Sequence, residues 1–258
     1  MSSIFASTRM VRTLRAGLHG FPGAWRRCNY KRREWNNYSS SLRLALHPEN
    51  RTLQPVQRRF LGLFMPFSQS SQISSIVKFI EDSTPTSLLD VGTGMGQYGF
   101  LARNSLEQAN LFHVDGAQAA QKSKPEWQVR IDGIEGCAIY LTPVHEYAYN
   151  HIMVGEAIEM LGKLSDNAYD LVLAIDILEH FTKPDGLKFL DELKRVAKRA
   201  VLVSTPKEFH SQEIEANPYE NHRSHWTDED LKQEGYGEIL ANAESWIAIH
   251  RKASHGVE

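Results

Sequence analysis

Cysteine is nearly absent from this chain: Cys28 and Cys137 are the only two in 258 residues. They stand far apart and match no metal-ligand spacing, which excludes a disulfide scaffold and a cysteine-built zinc site. Long apolar runs are missing as well. None approaches the roughly 18 residues that a membrane span requires, so a soluble body without a span is expected. Acids are scarce at one end only. Residues 1–64 carry 12 Lys or Arg against Glu34 and Glu49, while residues 65–258 carry 17 against 29 acids. The net charge of −2 therefore hides a basic arm and an acidic body.

Three readings fit the arm. Its arginines, serines and lack of early acids suit a mitochondrial or plastid transit peptide. It also suits a basic tail that touches nucleic acid or a membrane surface. Alternatively synthesis begins at Met65, which is followed by a short polar stretch and then by residues 73–80, an amphipathic helix. In each case residues 1–64 are expected to be a poorly ordered extension, with the folded domain over 65–258. A cytoplasmic location follows from the soluble body, and a mitochondrial one if the arm is a transit peptide.

What the chain does have is residues 87–96, SLLDVGTGMG. Leu88, Leu89 and Val91 suit a strand buried on both faces of a parallel sheet, where the run is near-continuously apolar. Gly92, Gly94 and Gly96 let the chain turn tightly and bring its amides close to a ligand. A helix is expected next, because Tyr98, Leu101, Ala102 and Leu106 share one helical face. A glycine turn of this kind could cradle a dinucleotide, whose usual fingerprint has its third glycine one residue later. Its glycines could also serve only close helix–strand packing. The spacing GxGxG, with Asp90 two residues ahead, resembles the first motif of the class I S-adenosylmethionine (SAM) dependent methyltransferases. A carboxylate there suits a ligand ammonium better than a pyrophosphate.

Further strands with polar ends follow. Residues 127–135 (WQVRIDGIE) end on Glu135, where a carboxylate can accept both hydroxyls of a ribose. Residues 152–156 (IMVGE) end on Glu156, whose position resembles the one that meets the adenine amino group in this family. Residues 169–176 (YDLVLAID) end on Asp176, and residues 199–206 (RAVLVSTP) form a fifth run. Polar strand ends along one rim mark the ligand edge of an open α/β sheet. Asp115 competes with Glu135, because a ribose acid is expected about 20 residues after the first glycine and Glu135 lies 43 beyond Gly92. Glu135 is preferred for its longer strand and for the room left for one helix before Glu156. Residues 110–126 then form an insertion. The family more often has Asp at the position of Glu156.

A second constellation sits where the fourth strand ends. In a helix, Asp176, Glu179 and His180 would share one face, and residues 221–227 (NHRSHWT) add His222 and His225. Such a set can bind a divalent ion or supply a general base. Asp-x-x-Glu is equally a variant of the helix capping box. The pair is reminiscent of small-RNA 2′-O-methyltransferases, which hold a divalent ion through a comparable element and a later histidine, and of ubiquinone-pathway O-methyltransferases. Here the first acid is Asp rather than Glu and the later spacing differs. Because the cap accounts for both acids, no metal is expected and activity should survive chelation. Should an ion bind, Glu179, His180 and His222 are the expected ligands.

The class I resemblance, covering about residues 65–252, implies a doubly wound, mostly parallel seven-stranded sheet with a reversed C-terminal edge hairpin. Residues 237–241 and 246–251 supply that hairpin, and Thr227 is a credible helix start. The expected activity is methyl transfer from SAM to an unidentified small-molecule acceptor, with Asp90, Gly92, Gly94, Gly96, Glu135, Glu156 and Asp176 binding the cofactor and His180 as catalytic base. Metal-assisted RNA 2′-O-methylation, or nucleic-acid binding by the arm, is the alternative. Residues 207–226 are placed to wall the acceptor pocket. The aromatic stretch 140–149 reads as a packed helix surface rather than a cofactor contact.

Overall fold

The computed structural model describes residues 68–214 and 217–253. The expectations for residues 1–64 lie outside them. Seven strands form one sheet: β1 (Ser87–Val91), β4 (Arg130–Glu135), β5 (His151–Val154), β6 (Tyr169–Ile175), β7 (Ala197–Pro206), β8 (Glu238–Leu240) and β9 (Ser245–Arg251). Their order is β5-β4-β1-β6-β7-β9-β8. β1 lies between β4 and β6, all parallel, and the chain order reverses there. That reversal opens the crevice in which ligands of such sheets bind.

The expected edge hairpin is present, with one refinement. β9 inserts antiparallel beside β7, and β8 pairs antiparallel with β9 on the outside. Only β9 therefore runs against the others.

Helices cover both faces: α1 (Ile73–Ser83), α2 (Gln97–Leu106), α3 (Pro143–Ala148), α4 (Ala157–Gly162), α5 (Lys183–Val196) and α6 (Asp228–Gln233). The pleat sends successive side chains to opposite faces. Leu88, Ile131, Leu171 and Leu173 meet α1 and α2 through Ile76, Phe79, Ile80, Tyr98 and Ala102. Leu89, Ile134, Val172 and Val201 meet α4, α5 and α6 through Leu161, Phe189, Leu190, Leu193 and Leu231. Burial on both faces is why β6 is apolar at almost every position, and all seven of its residues are buried.

Residues 110–126 are an insertion, as expected. Phe112–Asp115 (β2) and Gln118–Gln121 (β3) make a separate, wholly exposed hairpin. Asp115 thus lies off the main sheet, whereas Glu135 ends the strand next to β1. Two strand boundaries differ from the sequence reading. β4 begins at Arg130, because Lys124–Glu126 forms a 3₁₀ turn just before it. β5 ends at Val154, which leaves Glu156 as the N-cap of α4.

Candidate functional site

Gly92, Gly94 and Gly96 have φ of 78°, 53° and 87°, the left-handed region where a Cβ is strained. At Gly92 a Cβ would also lie 2.8 Å from Ile177 Cδ1, so the turn and the end of β6 are in close approach. The amides of Gly92 and Thr93 donate to the Ile134 carbonyl, at 2.9 and 3.2 Å, pinning the turn to β4.

Asp90 sits beneath that turn, 2% exposed, and accepts a 2.6 Å hydrogen bond from the Tyr149 hydroxyl. Burial raises its pKa to about 6; the Tyr149 hydrogen bond opposes the rise and nearby Glu135 adds to it. Glu135 is also buried. It accepts from the amides of Gly94 and Cys137, each at 2.8 Å, and from the Thr93 hydroxyl at 3.2 Å. Burial pushes its pKa up despite those three donors.

A relay steadies this carboxylate. His145 Nδ1 accepts from the Thr142 amide at 3.0 Å, so in the neutral ring Nε2 carries the proton toward Thr93 Oγ1, 3.1 Å away. Burial lowers the His145 pKa and favours that neutral ring. His145 and Tyr149 both come from the stretch read as packed helix surface. Tyr149 is buried as expected, yet both side chains also support the glycine turn. The cue was the run Thr142-Pro143-x-His145 at the start of α3: Thr142 caps the helix and the His145 ring reaches back to its amide.

Two further acids line the rim. Glu156 caps α4 by accepting from the Glu159 amide at 2.9 Å. Asp176 has φ of 50°, unusual for a residue with a side chain. Its carboxylate accepts from Gln72 Nε2 at 2.6 Å and from Ser204 Oγ at 2.8 Å, and burial raises its pKa. Gln72, which ends the 3₁₀ turn before α1, was not legible as a site residue because only the tertiary fold brings it to β6.

The capping reading of Asp176 and Glu179 is overturned. The left-handed Asp176 breaks the chain into a 3₁₀ turn over Leu178–His180, and α5 starts later, capped by Thr182. Glu179 is instead 4% exposed and accepts from Thr205 Oγ1 at 3.0 Å. Burial, then the charge of Asp176, drives its pKa well above the usual carboxylate range. Burial lowers the His180 pKa to about 4, helped by His222.

The segment after β7 folds back onto this turn. The amides of Arg223 and Ser224 donate to the Glu179 carbonyl at 2.8 and 3.2 Å. This places the His222 ring 5.1 Å from that of His180. Glu179, His180 and His222 each offer a ligand atom, all within 4.8 Å of one another. His225 is exposed and its Nε2 faces the Lys207 carbonyl, so it stands apart from the group.

Residues 89–203, from β1 to β7, match the family model of a methyltransferase domain. No curated protein matches the sequence. Among solved structures, a SAM-dependent methyltransferase from Archaeoglobus fulgidus is 14% identical, with a TM-score of 0.46, over 70% of this chain and 91% of that one. The N-terminal domain of EvdMO1 with SAH bound is 16% identical, TM-score 0.47, over 72% and 83%. A putative O-methyltransferase from Nostoc punctiforme PCC 73102 is 19% identical, TM-score 0.46, over 69% and 55%.

Proposed function

We propose that the chain, whose residues 89–203 match the family model of a methyltransferase domain, is a class I SAM-dependent methyltransferase that acts on a small-molecule acceptor. One observation carries the proposal. The stretch after β7 is tied back onto the end of β6 through the Glu179 carbonyl, which sets the His222 ring beside that of His180 at this end of the rim. The acidic balance of residues 65–258 also disfavours a polyanionic substrate.

The site suits the cofactor. Around Glu135 the donors are neutral amides and a hydroxyl, and no Lys or Arg of the described residues pairs with it, so its charge is left for ligand hydroxyls. We assign Glu135 to the ribose, Glu156 to the adenine edge, and Gly92, Gly94 and Gly96 with Asp90 and Asp176 to the methionine side. When bound, SAM supplies a methyl on a positive sulfur, open to in-line displacement. The protein's work is then to align the acceptor and exclude water, which for well-oriented partners is worth effective molarities of roughly 10⁵ M or more. His180 is assigned to the acceptor side. Nδ1 faces the Asn221 carbonyl, which can only accept, so in the neutral ring Nδ1 holds the proton and Nε2 is the nitrogen assigned to take one from the acceptor.

Calorimetry with SAM and with NAD tests the cofactor, and labelled SAM incubated with metabolite and RNA pools tests the acceptor. We expect SAM binding without NAD binding, and label in a metabolite fraction. NAD binding without SAM binding, or label confined to RNA, would overturn the proposal.

A further inference from the structure

We propose that His145 is a positioning residue: acting through Thr93, it holds the Glu135 carboxylate so that Oε1 alone is presented to a single ribose hydroxyl of the cofactor. The inference rests on the proposed methyltransferase reading, which puts the ribose at Glu135, and it adds a group from α3 that no strand end contains. The first support is the direction of the protons. His145 Nδ1 accepts from the Thr142 amide at 3.0 Å, so the neutral ring carries its proton on Nε2 and donates to Thr93 Oγ1 at 3.1 Å. A hydroxyl that accepts there has its own proton free for Glu135 Oε2, 3.2 Å away. In the other tautomer Nε2 would hold a lone pair and compete with Glu135 for that proton. The second support is the count of donors. Oε2 takes the Thr93 hydroxyl and the Gly94 amide, which fills both of its lone pairs, while Oε1 takes only the Cys137 amide. Among the described residues one lone pair of Oε1 is left, and it suits one hydroxyl rather than two.

The third support is the fixity of the bracket. His145 and Thr93 are both buried. The imidazole lies 5.3 Å from the Tyr149 ring and within 17° of parallel to it, and the Tyr149 hydroxyl donates to Asp90 at 2.6 Å. A Cβ on Gly96 would come within 3.3 Å of His145 Cε1, so the imidazole also packs against the glycine turn. Thr142 Oγ1 donates to the Met95 carbonyl of the same turn at 3.3 Å. One short helix and its cap therefore reach both acids and the turn between them. Burial lowers the His145 pKa and keeps the ring neutral. Only the neutral ring serves both ends, because a proton on Nδ1 would face the Thr142 N–H. Capping alone requires the Thr142 end of the ring; the Thr93 end serves the site.

The test uses the full chain and calorimetry with S-adenosylhomocysteine and with its 2′-deoxy and 3′-deoxy analogues. In wild type, loss of the hydroxyl that Oε1 holds should weaken binding by about tenfold or more, as for a hydrogen bond to a charged group, and loss of the other by much less. Thr93→Val breaks the relay and leaves the Thr142 cap in place. It and His145→Leu should each weaken S-adenosylhomocysteine by about tenfold and shrink the gap between the two analogues to about twofold. His145→Gln offers an acceptor to the Thr142 amide and a donor to Thr93, so both quantities should return to within about threefold of wild type. If His145→Leu fails to fold, Thr93→Val and His145→Gln carry the test. A gap between the analogues that is the same in wild type and Thr93→Val, or no gap in wild type, overturns the proposal. Failure of wild type to bind SAM or S-adenosylhomocysteine would instead count against the methyltransferase reading.

Discussion

At the scale of single residues, the rim is a row of carboxylates whose charge the fold makes costly. Asp90 and Glu135 were legible because each stands at or next to the C-terminal end of an apolar strand, the edge of a parallel sheet at which ligands bind. Their partners were not. Tyr149 reaches Asp90 from 59 positions along the chain and Thr93 reaches Glu135 from 42, with His145 behind Thr93 from 52, just as Gln72 reaches Asp176 from 104, and only packing decides such meetings. Asp90 gives a pH prediction. Its folded pKa of about 6 lies above the reference 3.8, so the folded state holds the proton more tightly. That contribution to stability is full below about pH 3.8 and is lost as pH rises through 6, a loss of about 3 kcal/mol. Glu135, Asp176 and Glu179 shift the same way, so the informative quantity is a difference. Asp90→Asn keeps an acceptor for Tyr149 but cannot titrate. Relative to wild type, it should gain up to about 3 kcal/mol between pH 4 and pH 8 by urea unfolding. Parallel stability curves would refute a buried, titrating Asp90.

At the scale of elements, the parallel strands and their order were readable because continuous apolar runs have few other uses, while boundaries drifted where a 3₁₀ turn borders a strand, as before Arg130. The misread cap at Asp176 has a physical cause. Asp-x-x-Glu places its carboxylates for capping only if Asp176 is extended and the next residues are helical, and a φ of 50° prevents this. The true signal stood six residues later, in Thr182-Lys183-Pro184-Asp185, with a hydroxyl at the cap and Pro in the first turn. Thr182→Ala should therefore lower stability by about 1 kcal/mol and leave SAM affinity unchanged, as read by denaturation and calorimetry. The turn from Asp176 to His180 should behave in the opposite way. Asp176→Ala frees Gln72 and removes a rim charge, so SAM affinity should fall; an unchanged affinity would remove Asp176 from the cofactor site.

At the scale of the whole molecule, the family match covers 89–203, yet the site needs elements on either side of it. Gln72 joins Asp176 from before β1, and His222 joins His180 from after β7. We place the folded domain at 65–258, and cutting the chain at two points tests that division. A chain starting at Met65 keeps Gln72 and the whole of α1, so its SAM affinity should match that of the full chain within about twofold. One starting at Thr84 loses α1, and with it Ile76, Phe79 and Ile80, all buried against the sheet. Each such side chain contributes about 1.5–3 kcal/mol, a sum comparable to the whole stability of a domain. This shorter chain should unfold or aggregate. The arm is tested by the same pair. Phosphate contacts through its 12 Lys and Arg would weaken steeply with salt, with a log–log slope of about −0.7 per contact on single strands. Repulsion from the acidic body opposes such binding, so the full chain and the chain from Met65 should bind RNA equally weakly at physiological salt. Tight, salt-sensitive binding by the full chain alone would make residues 1–64 a nucleic-acid arm.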